Sequence, residues 1–374
     1  MLQIIKIIYR LFKYKAEWRK QFREIKIRRH QKEIIKYFDS KTEKLIIFLI
    51  PGAEYYSGKE NITGGLISII SLAQETTKIF KGSDTITLCS TYYNNHLIYK
   101  ITSFENQTKI LSTNVIEQYF KSVKSLIIHI PELFVKDFVD MQLRNKWLLS
   151  IQKIQINILN QNIQLMPEDS IIQRLKGIYK NCTITTAHKK YCNAELRKKY
   201  AVPVHQLSVW ISPENYQKVK FEDKVNLILF SPDNKYLTDQ IITYLKGKLI
   251  GHNFQIINGL SYEAYKKLIS IAKFVITTGE GLDSYFIETY FSGGVAFAVK
   301  NLNFFDSKYL DLNCLFNVEE NIEEKIFNLI IDYNDIVNYK NLNNQVHTLL
   351  SLDYSYTTYQ NNLKNFYLKA YTYG

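Results

Sequence analysis

Apolar residues recur at helical spacing through the first part of the chain: Leu2, Ile5, Ile8, Leu11 and Phe12, then Trp18, Phe22 and Ile25. That period predicts a helix over residues 2–38. From Lys44 the pattern changes. Leu45–Ile50 is a continuous apolar run, as a strand buried on both faces requires. A loop over Pro51–Thr63 leads to Gly64-Gly65 and a helix through Phe80. Strands are expected at Thr85–Cys89, Ile98–Phe104, Leu126–Ile130, Ile154–Leu159, Thr183–Thr186 and Gln206–Val209. Helices are expected near Val115–Val123, Glu132–Leu149, Ser170–Tyr179 and His188–Tyr200.

Ser212–Asp223 is polar, holds Pro213, and reads as a link. The alternation then restarts. Strands are expected at Val225–Phe230, Phe254–Ile257, Phe274–Thr277 and Val295–Val299, with helices at Lys235–Leu245, Tyr262–Ala272, Ser284–Phe291, Ile322–Ile331 and Val337–Leu350. Buried strands alternating with helices imply parallel sheets with right-handed crossovers. The expected class is therefore α/β, with two Rossmann-like domains facing a cleft. The expected division is a basic helical arm over 1–43, an N-terminal domain over 44–211, a C-terminal domain over 212–350, and an aromatic-rich tail over 351–374 that packs back on the N-terminal domain. Ligands in such sheets sit beyond the carboxyl ends of the strands, so the loops there are where chemistry belongs.

Composition narrows the class. The 374 residues are 46% apolar and 22% charged, which excludes a disordered or collagen-like main state. The net charge is +13, unevenly spread. Residues 1–44 hold 14 basic and 5 acidic residues, +9, which leaves +4 for the other 330. The main body is thus not a strongly basic nucleic-acid binder. The arm reads as a basic amphipathic helix that either lies on an anionic membrane surface or packs on protein. Cys89, Cys182, Cys192 and Cys314 lie far apart without a C-x-x-C, which fits reduced thiols in a cytoplasmic compartment. Lys6 and Arg10 interrupt the first apolar stretch, so it is not a secretory signal, and no run of about 18 apolar residues spans a bilayer.

The most informative segment is Thr278-Gly279-Glu280-Gly281-Leu282-Asp283-Ser284, continuing through Glu288. It follows a strand and opens a helix. Glu280 and Glu288 are eight positions apart, a little over two turns at about 3.6 residues per turn. One carboxylate in the loop and one two turns along can meet an elongated ligand at different ends. Gly281 permits close backbone approach, and the N–H groups at the helix start favour phosphate. A nucleoside diphosphate sugar has this layout of hydroxyls, phosphates and ribose hydroxyls.

Glu280–Glu288 resembles the E-x7-E motif of retaining glycosyltransferases with the GT-B fold, of the large family 4 type. The small-residue turn and strand Ser292-Gly293-Gly294-Val295-Ala296-Phe297-Ala298 and the glycine pair Gly64-Gly65 are similar to features of the same family. The resemblance spans about residues 44–350. It implies that Glu280 contacts donor-sugar hydroxyls, that the backbone N–H groups of Gly281, Leu282 and Asp283 reach the diphosphate, and that Glu288 holds the ribose. Gly64 and Gly65 would also belong to the donor site. Asp283 stands where the family usually has a small residue, and it could instead cap the helix that begins at Ser284.

No D-x-D occurs among the 14 aspartates, which argues against a metal-dependent GT-A enzyme; no metal or cofactor is expected, the nucleotide-sugar being a substrate. The resemblance implies that cationic help for the diphosphate comes from Lys235, in the loop Ser231-Pro232-Asp233-Asn234-Lys235, which could instead be a solvated lysine at a helix start. The resemblance implies that His129, read as ending its strand, orients the sugar; the other reading is a satisfied structural histidine. Asn160, Gln161 and Asn162 follow another strand end and could bind acceptor or donor hydroxyls, or simply form a turn. Glu54, Tyr55 and Tyr56 could shape an acceptor site. His188, Lys189 and Lys190 read as surface residues. The expectation is a glycosyltransferase that uses a nucleotide-sugar donor and a glycan or lipid-linked acceptor in bacterial surface polysaccharide or lipooligosaccharide synthesis. It would be cytoplasmic, peripheral on the membrane through residues 1–40, with no nucleic-acid partner. The alternatives are another nucleotide-sugar enzyme, such as an epimerase or hydrolase, and a non-catalytic binding protein that uses the basic arm. A dehydrogenase is disfavoured, because no G-x-G-x-x-G follows the first strand.

Overall fold

The computed structural model describes residues 2–50, 55–56, 59–60, 64–91, 110–142, 145–209, 216–260, 262–318 and 321–374. The chain opens with α1 (Leu2–Ile35), followed by β1 (Lys44–Ile50), the short hairpin β2 (Tyr55–Tyr56) and β3 (Lys59–Glu60), α2 (Gly64–Ile79), β4 (Thr85–Thr91), β5 (Ile110–Ser112) and α3 (Thr113–Tyr119). Then come β6 (Ser125–Pro131), α4 (Val135–Gln142), α5 (Lys146–Ser150), β7 (Lys153–Asn160), α6 (Asp169–Ile178), β8 (Cys182–Thr186), α7 (Ala194–Tyr200) and β9 (Val204–Gln206). These strands form a seven-stranded sheet in the order β5-β4-β1-β6-β7-β8-β9. β1 pairs in parallel with β4 and β6, β4 with β5, β6 with β7 and β8 with β9, in registers that include Lys44↔Thr85 and Thr186↔Gln206. β1 is buried at every position from Leu45 to Ile50, as a strand covered on both faces must be.

The second block runs β10 (Val225–Phe230), α8 (Lys235–Lys248), β11 (Asn253–Ile256), α9 (Tyr262–Ile271), β12 (Ala272–Thr277), α10 (Ser284–Phe291), β13 (Val295–Val299), β14 (Leu315–Phe316), α11 (Ile322–Tyr333), α12 (Ile336–Tyr354) and α13 (Tyr356–Tyr367). Its five parallel strands are ordered β11-β10-β12-β13-β14. The bounds of β10, α10 and β13 coincide with those expected from apolar periodicity.

Several expectations are corrected. The helix expected over Glu132–Leu149 is broken into a 3-10 turn and two helices, because the Asn145 side chain accepts from Leu148 N and starts a new helix. The helix expected over His188–Tyr200 begins only at Ala194, where Asn193 caps it in the same way. The strand expected at Gln206–Val209 is Val204–Gln206. The strand expected at Ile98–Phe104, residue Glu54 and the start of the Ser212–Asp223 link lie outside the described residues.

The chain divides into two compact units: residues 1–159 with 165–183, and residues 160–164 with 184–374. Residues 184–209, read from the sequence with the first block, therefore group with the second. The reason is the C-terminal tail. Val204 and Tyr373 exchange backbone hydrogen bonds of 2.9 Å, His205 Nε2 donates to Asn362 O at 2.7 Å, and Arg197 Nε donates to Gly374 O at 2.9 Å. Asp353, almost fully buried on α12, adds to this unit by accepting from Lys308 and from the Tyr309 hydroxyl at 3.1 Å, with Lys189 at 3.3 Å. Two opposing ammonium groups make a buried carboxylate tolerable.

In the first unit, α1 is fastened at its C-terminal end. Gln31 Oε1 accepts from Ser112 Oγ at 2.8 Å and from Ser112 N at 3.2 Å. Among the described residues no helix is long and apolar enough to cross a membrane. All four cysteines are free and buried.

Candidate functional site

In the five-stranded sheet, the chain leaves β10 to form β11 on one side and returns to form β12 on the other. Strand order thus reverses between β10 and β12, and ligands in parallel sheets lodge beyond the carboxyl ends at such a point. The loops there are Ser231–Asn234 and Thr278–Asp283. They are fastened together: Thr278 N donates to Ser231 Oγ at 3.2 Å, and the Thr238 and Thr278 hydroxyls are 3.3 Å apart. A Cβ on Gly279 would come within 2.7–2.8 Å of the Asp233 side chain, so only glycine lets the two loops close to this distance.

Gly281 has φ +82°, and a Cβ there would stand 2.3 Å from Val299 O and 2.8 Å from Phe305 Cε2. Both the conformation and the contact call for glycine. Phe305 lies in the loop after β13, so that loop forms the floor under Gly281.

Asp283 caps α10. Its Oδ1 accepts from Phe286 N at 3.0 Å and its Oδ2 from Thr277 Oγ1 at 2.5 Å. Burial pushes its carboxyl up to about 7, against the two donors, with Asp233 and Glu280 adding to the rise. The departure from the small residue of the resembled family therefore has a structural use. The side chain is turned onto the helix end and its negative charge is weakened near neutral pH.

Glu280 lies in the loop, and its Oε1 accepts from Asn162 Nδ2 at 2.6 Å. Asn162 is held by its own turn, its Oδ1 accepting from Gln164 N at 2.9 Å. Burial raises the Glu280 carboxyl above its ordinary value; the Asn162 amide opposes the rise and Asp233 adds to it. Glu288 lies two turns along α10 and is almost wholly buried. Burial pushes it up to about 8, opposed by hydrogen bonding from Tyr216 and Tyr265 and by the charge of Lys266, with Asp283 raising it further. Its Oε2 has no hydrogen-bond partner among the described residues.

Glu280, Gly281, Leu282, Asp283, Glu288 and Asn162 thus all belong to one unit and one strand-loop-helix neighbourhood. Leu282 is buried there. Asn160 ends β7, its carbonyl accepting from Ala187 N at 2.9 Å, and its buried Oδ1 has no partner among the described residues. Gln161 lies between the two asparagines. Lys235 opens α8 as expected; its side chain is 81% exposed, and its ammonium pairs with Asp239 one turn along the helix. The loop's asparagine, Asn234, serves as the α8 cap by accepting from Leu237 N at 3.1 Å.

The remaining candidates belong to the first unit. His129 is corrected. It lies within β6 rather than at its end, fully buried, with its ring stacked on Phe48 at 4.2 Å between centroids. Asn157 Nδ2 donates to His129 Nδ1 at 3.0 Å, and Thr183 Oγ1 donates to Asn157 Oδ1 at 2.9 Å. Burial lowers its pKa to about 3, so it is a neutral core histidine. Gly64 and Gly65 open α2, exposed, and a Cβ on Gly64 would meet no atom within 4 Å. Tyr55 and Tyr56 form β2.

His188 is also corrected, being buried rather than on the surface. Its ring lies 5.2 Å from Phe304, and burial lowers its pKa to about 4. Lys190 donates to Leu302 O, so the turn after β8 is fastened to the loop after β13. Sequence reasoning missed Asp233, Tyr216, Tyr265, Lys266 and Phe305 as neighbours of the site. Only Asp233 had a readable signal, since it lies in the loop after the strand expected at Val225–Phe230. Among the described residues no group of three or more His, Cys, Asp or Glu is placed to hold a metal ion.

No family model matches the chain, and no curated protein matches it in sequence. Solved structures do resemble it. HepE of Anabaena in complex with UDP-glucose has a TM-score of 0.59 at 9% identity, over 87% of this chain and 99% of that one. MnaA of S. aureus with UDP has a TM-score of 0.55 at 12% identity, over 88% of this chain and 98% of the other. An α,α-trehalose-phosphate synthase (UDP-forming) from Burkholderia xenovorans, in complex with glucose-6-phosphate, has a TM-score of 0.53 at 8% identity, over 86% and 99%. At such identities the likeness shows the fold alone: parallel α/β sheets in two domains, the GT-B arrangement.

Proposed function

We propose that the chain is a glycosyltransferase that moves a sugar from a nucleotide-sugar donor to a hydroxyl of a glycan or lipid-linked acceptor. The observation that carries this reading is the Thr278–Glu288 segment at the strand-order reversal. It combines a glycine at positive φ, a capped helix start, one half-buried carboxylate in the loop and one buried carboxylate two turns along. Structures with the same fold include complexes with UDP-glucose and with UDP, and a UDP-forming synthase, which supports a uridine nucleotide donor.

In this reading Glu280 accepts hydrogen bonds from donor-sugar hydroxyls, and Glu288 accepts them from the ribose. The backbone N–H groups of Gly281, Leu282 and Asp283 meet the diphosphate at the start of α10, where the helix dipole favours negative charge. Four carboxyl groups surround this place, and repulsion of a diphosphate would be severe were all ionised. Burial of Asp283 and Glu288 keeps much of that charge off near neutral pH. Lys235, at the start of α8, would supply positive charge to the diphosphate. Its exposed pair with Asp239 contributes little and exchanges readily.

We further assign retention, which rests on the resemblance to the E-x7-E family. The acceptor oxygen bonds to the anomeric carbon on the face from which the diphosphate leaves, and a diphosphate oxygen takes the acceptor proton. Positioning and electrostatic stabilisation supply the rate. A role in bacterial surface polysaccharide or lipooligosaccharide synthesis completes the reading. The test is titration of the protein with UDP and a panel of UDP-sugars, then incubation of any binder with and without glycan acceptors. Transfer that needs acceptor supports the proposal. Full turnover of donor alone would make the protein a hydrolase or epimerase instead.

A further inference from the structure

The Tyr14–Arg29 section of α1 is exposed at every described side chain, while Gln31 and Ile34 beyond it are buried against the first unit. Tyr14, Trp18, Phe22 and Ile25 are 68%, 72%, 54% and 46% exposed. At 3.6 residues per turn these four fall within about 80° of arc, so they form one stripe. Lys15 and Arg19 flank it on one side, and Arg28, beside Glu24, on the other. Residues 14–29 hold seven basic and two acidic residues, a net +5.

Aromatic side chains with a polar atom on an apolar body suit the boundary between headgroups and acyl chains. A flank of cations suits lipid phosphate. A second copy of the chain would bring the same positive charge and be repelled, so charge complementarity selects an anionic partner. An apolar stripe of this width has nothing to bury on a nucleic-acid backbone.

We propose that residues 14–29 dock on an anionic lipid surface, with Trp18 and Phe22 entering the headgroup boundary and Lys15, Arg19 and Arg28 meeting phosphates. This goes beyond the sugar-transfer reading and does not depend on it. The anchored end at Gln31 keeps the helix attached to the folded unit while the stripe faces outward.

The test is co-sedimentation of the full chain with vesicles of equal phosphatidylglycerol and phosphatidylcholine, and with phosphatidylcholine alone. Binding should be about tenfold stronger to the anionic vesicles and should weaken severalfold in about 0.5 M salt. The double substitution Trp18→Ser with Phe22→Ser should lower anionic-vesicle binding about tenfold. Lys15→Glu with Arg19→Glu should do the same, and both variants should keep the unfolding temperature, since these side chains are exposed. Equal binding by the serine variant and the unaltered protein would overturn the proposal. So would equal binding to both vesicle types. A self-association abolished by Trp18→Ser with Phe22→Ser would also overturn it, making the stripe an interface between copies.

Discussion

Asn162 Nδ2 donates a 2.6 Å hydrogen bond to Glu280 Oε1 across 118 positions of sequence. The bond fixes the direction of the loop carboxylate and opposes the rise in its pKa caused by burial and by Asp233. A hydrogen bond to a charged group contributes about 1.5–3 kcal/mol. Asn162→Ala should therefore lower kcat/KM for the sugar donor by roughly 10- to 100-fold, with the melting temperature little changed. Asn162→Asp, which replaces the donor by a like charge, should lower it further at pH 8 than at pH 6. Unchanged kcat/KM in both variants would remove Asn162 from the site.

Gly281→Ala should destabilise the protein by more than about 2 kcal/mol, because a left-handed conformation and a backbone collision act together. Pairing it with Phe305→Ala should not restore stability. The nearer obstacle is the Val299 carbonyl at 2.3 Å, which is backbone and cannot be trimmed. Urea unfolding of the single and double variants measures both.

Burial of Glu288 and Asp283 makes stability depend on pH. The folded pKa of Glu288, about 8, lies above its ordinary 4.5, and that of Asp283, about 7, above 3.8. The folded state thus binds more protons than the unfolded chain across this range. Their contribution is fully present below about pH 4 and is lost as pH rises to about 8. Glu288→Gln should flatten the decline between pH 5 and 8, leaving the Asp283 part. Identical pH profiles for the variant and the unaltered protein would contradict the assigned shift.

The same carboxyls should govern anion binding. Ionising Asp283 and Glu288 brings negative charge toward any diphosphate at the start of α10, so UDP affinity should fall as pH rises from 6 to 8.5. Glu288→Gln should weaken binding through the lost ribose contact and also reduce that slope. Calorimetric titration with UDP at several pH values separates the two effects.

What could be read from the sequence was what repeats locally. β10, α10 and β13 were legible to the residue, because continuous apolar runs and a helix start carry their own signal. Asp283 as a cap was legible for the same reason, since only its own helix is involved. The position of His129 was not. His129 sits mid-strand against Phe48 and Asn157, partners 81 and 28 positions away, and burial rather than strand end decides its character. Nor does any local pattern announce that Gly281 rests on Phe305, or that the Asn162 turn reaches Glu280. Such contacts are set by how the strands are ordered in the sheets, which periodicity does not encode. The β14 strand, two residues long, is too short to have a period.

If Glu280 and Glu288 bind the two ends of one nucleotide-bound sugar, transfer must depend on both. The most direct measurement is the rate of sugar transfer from the UDP-sugar that binds best, for Glu280→Ala and Glu288→Ala beside the unaltered protein. Each substitution should lower transfer by about a hundredfold or more while circular dichroism keeps its folded signature. Undiminished transfer in both variants would mean that neither carboxylate holds the donor.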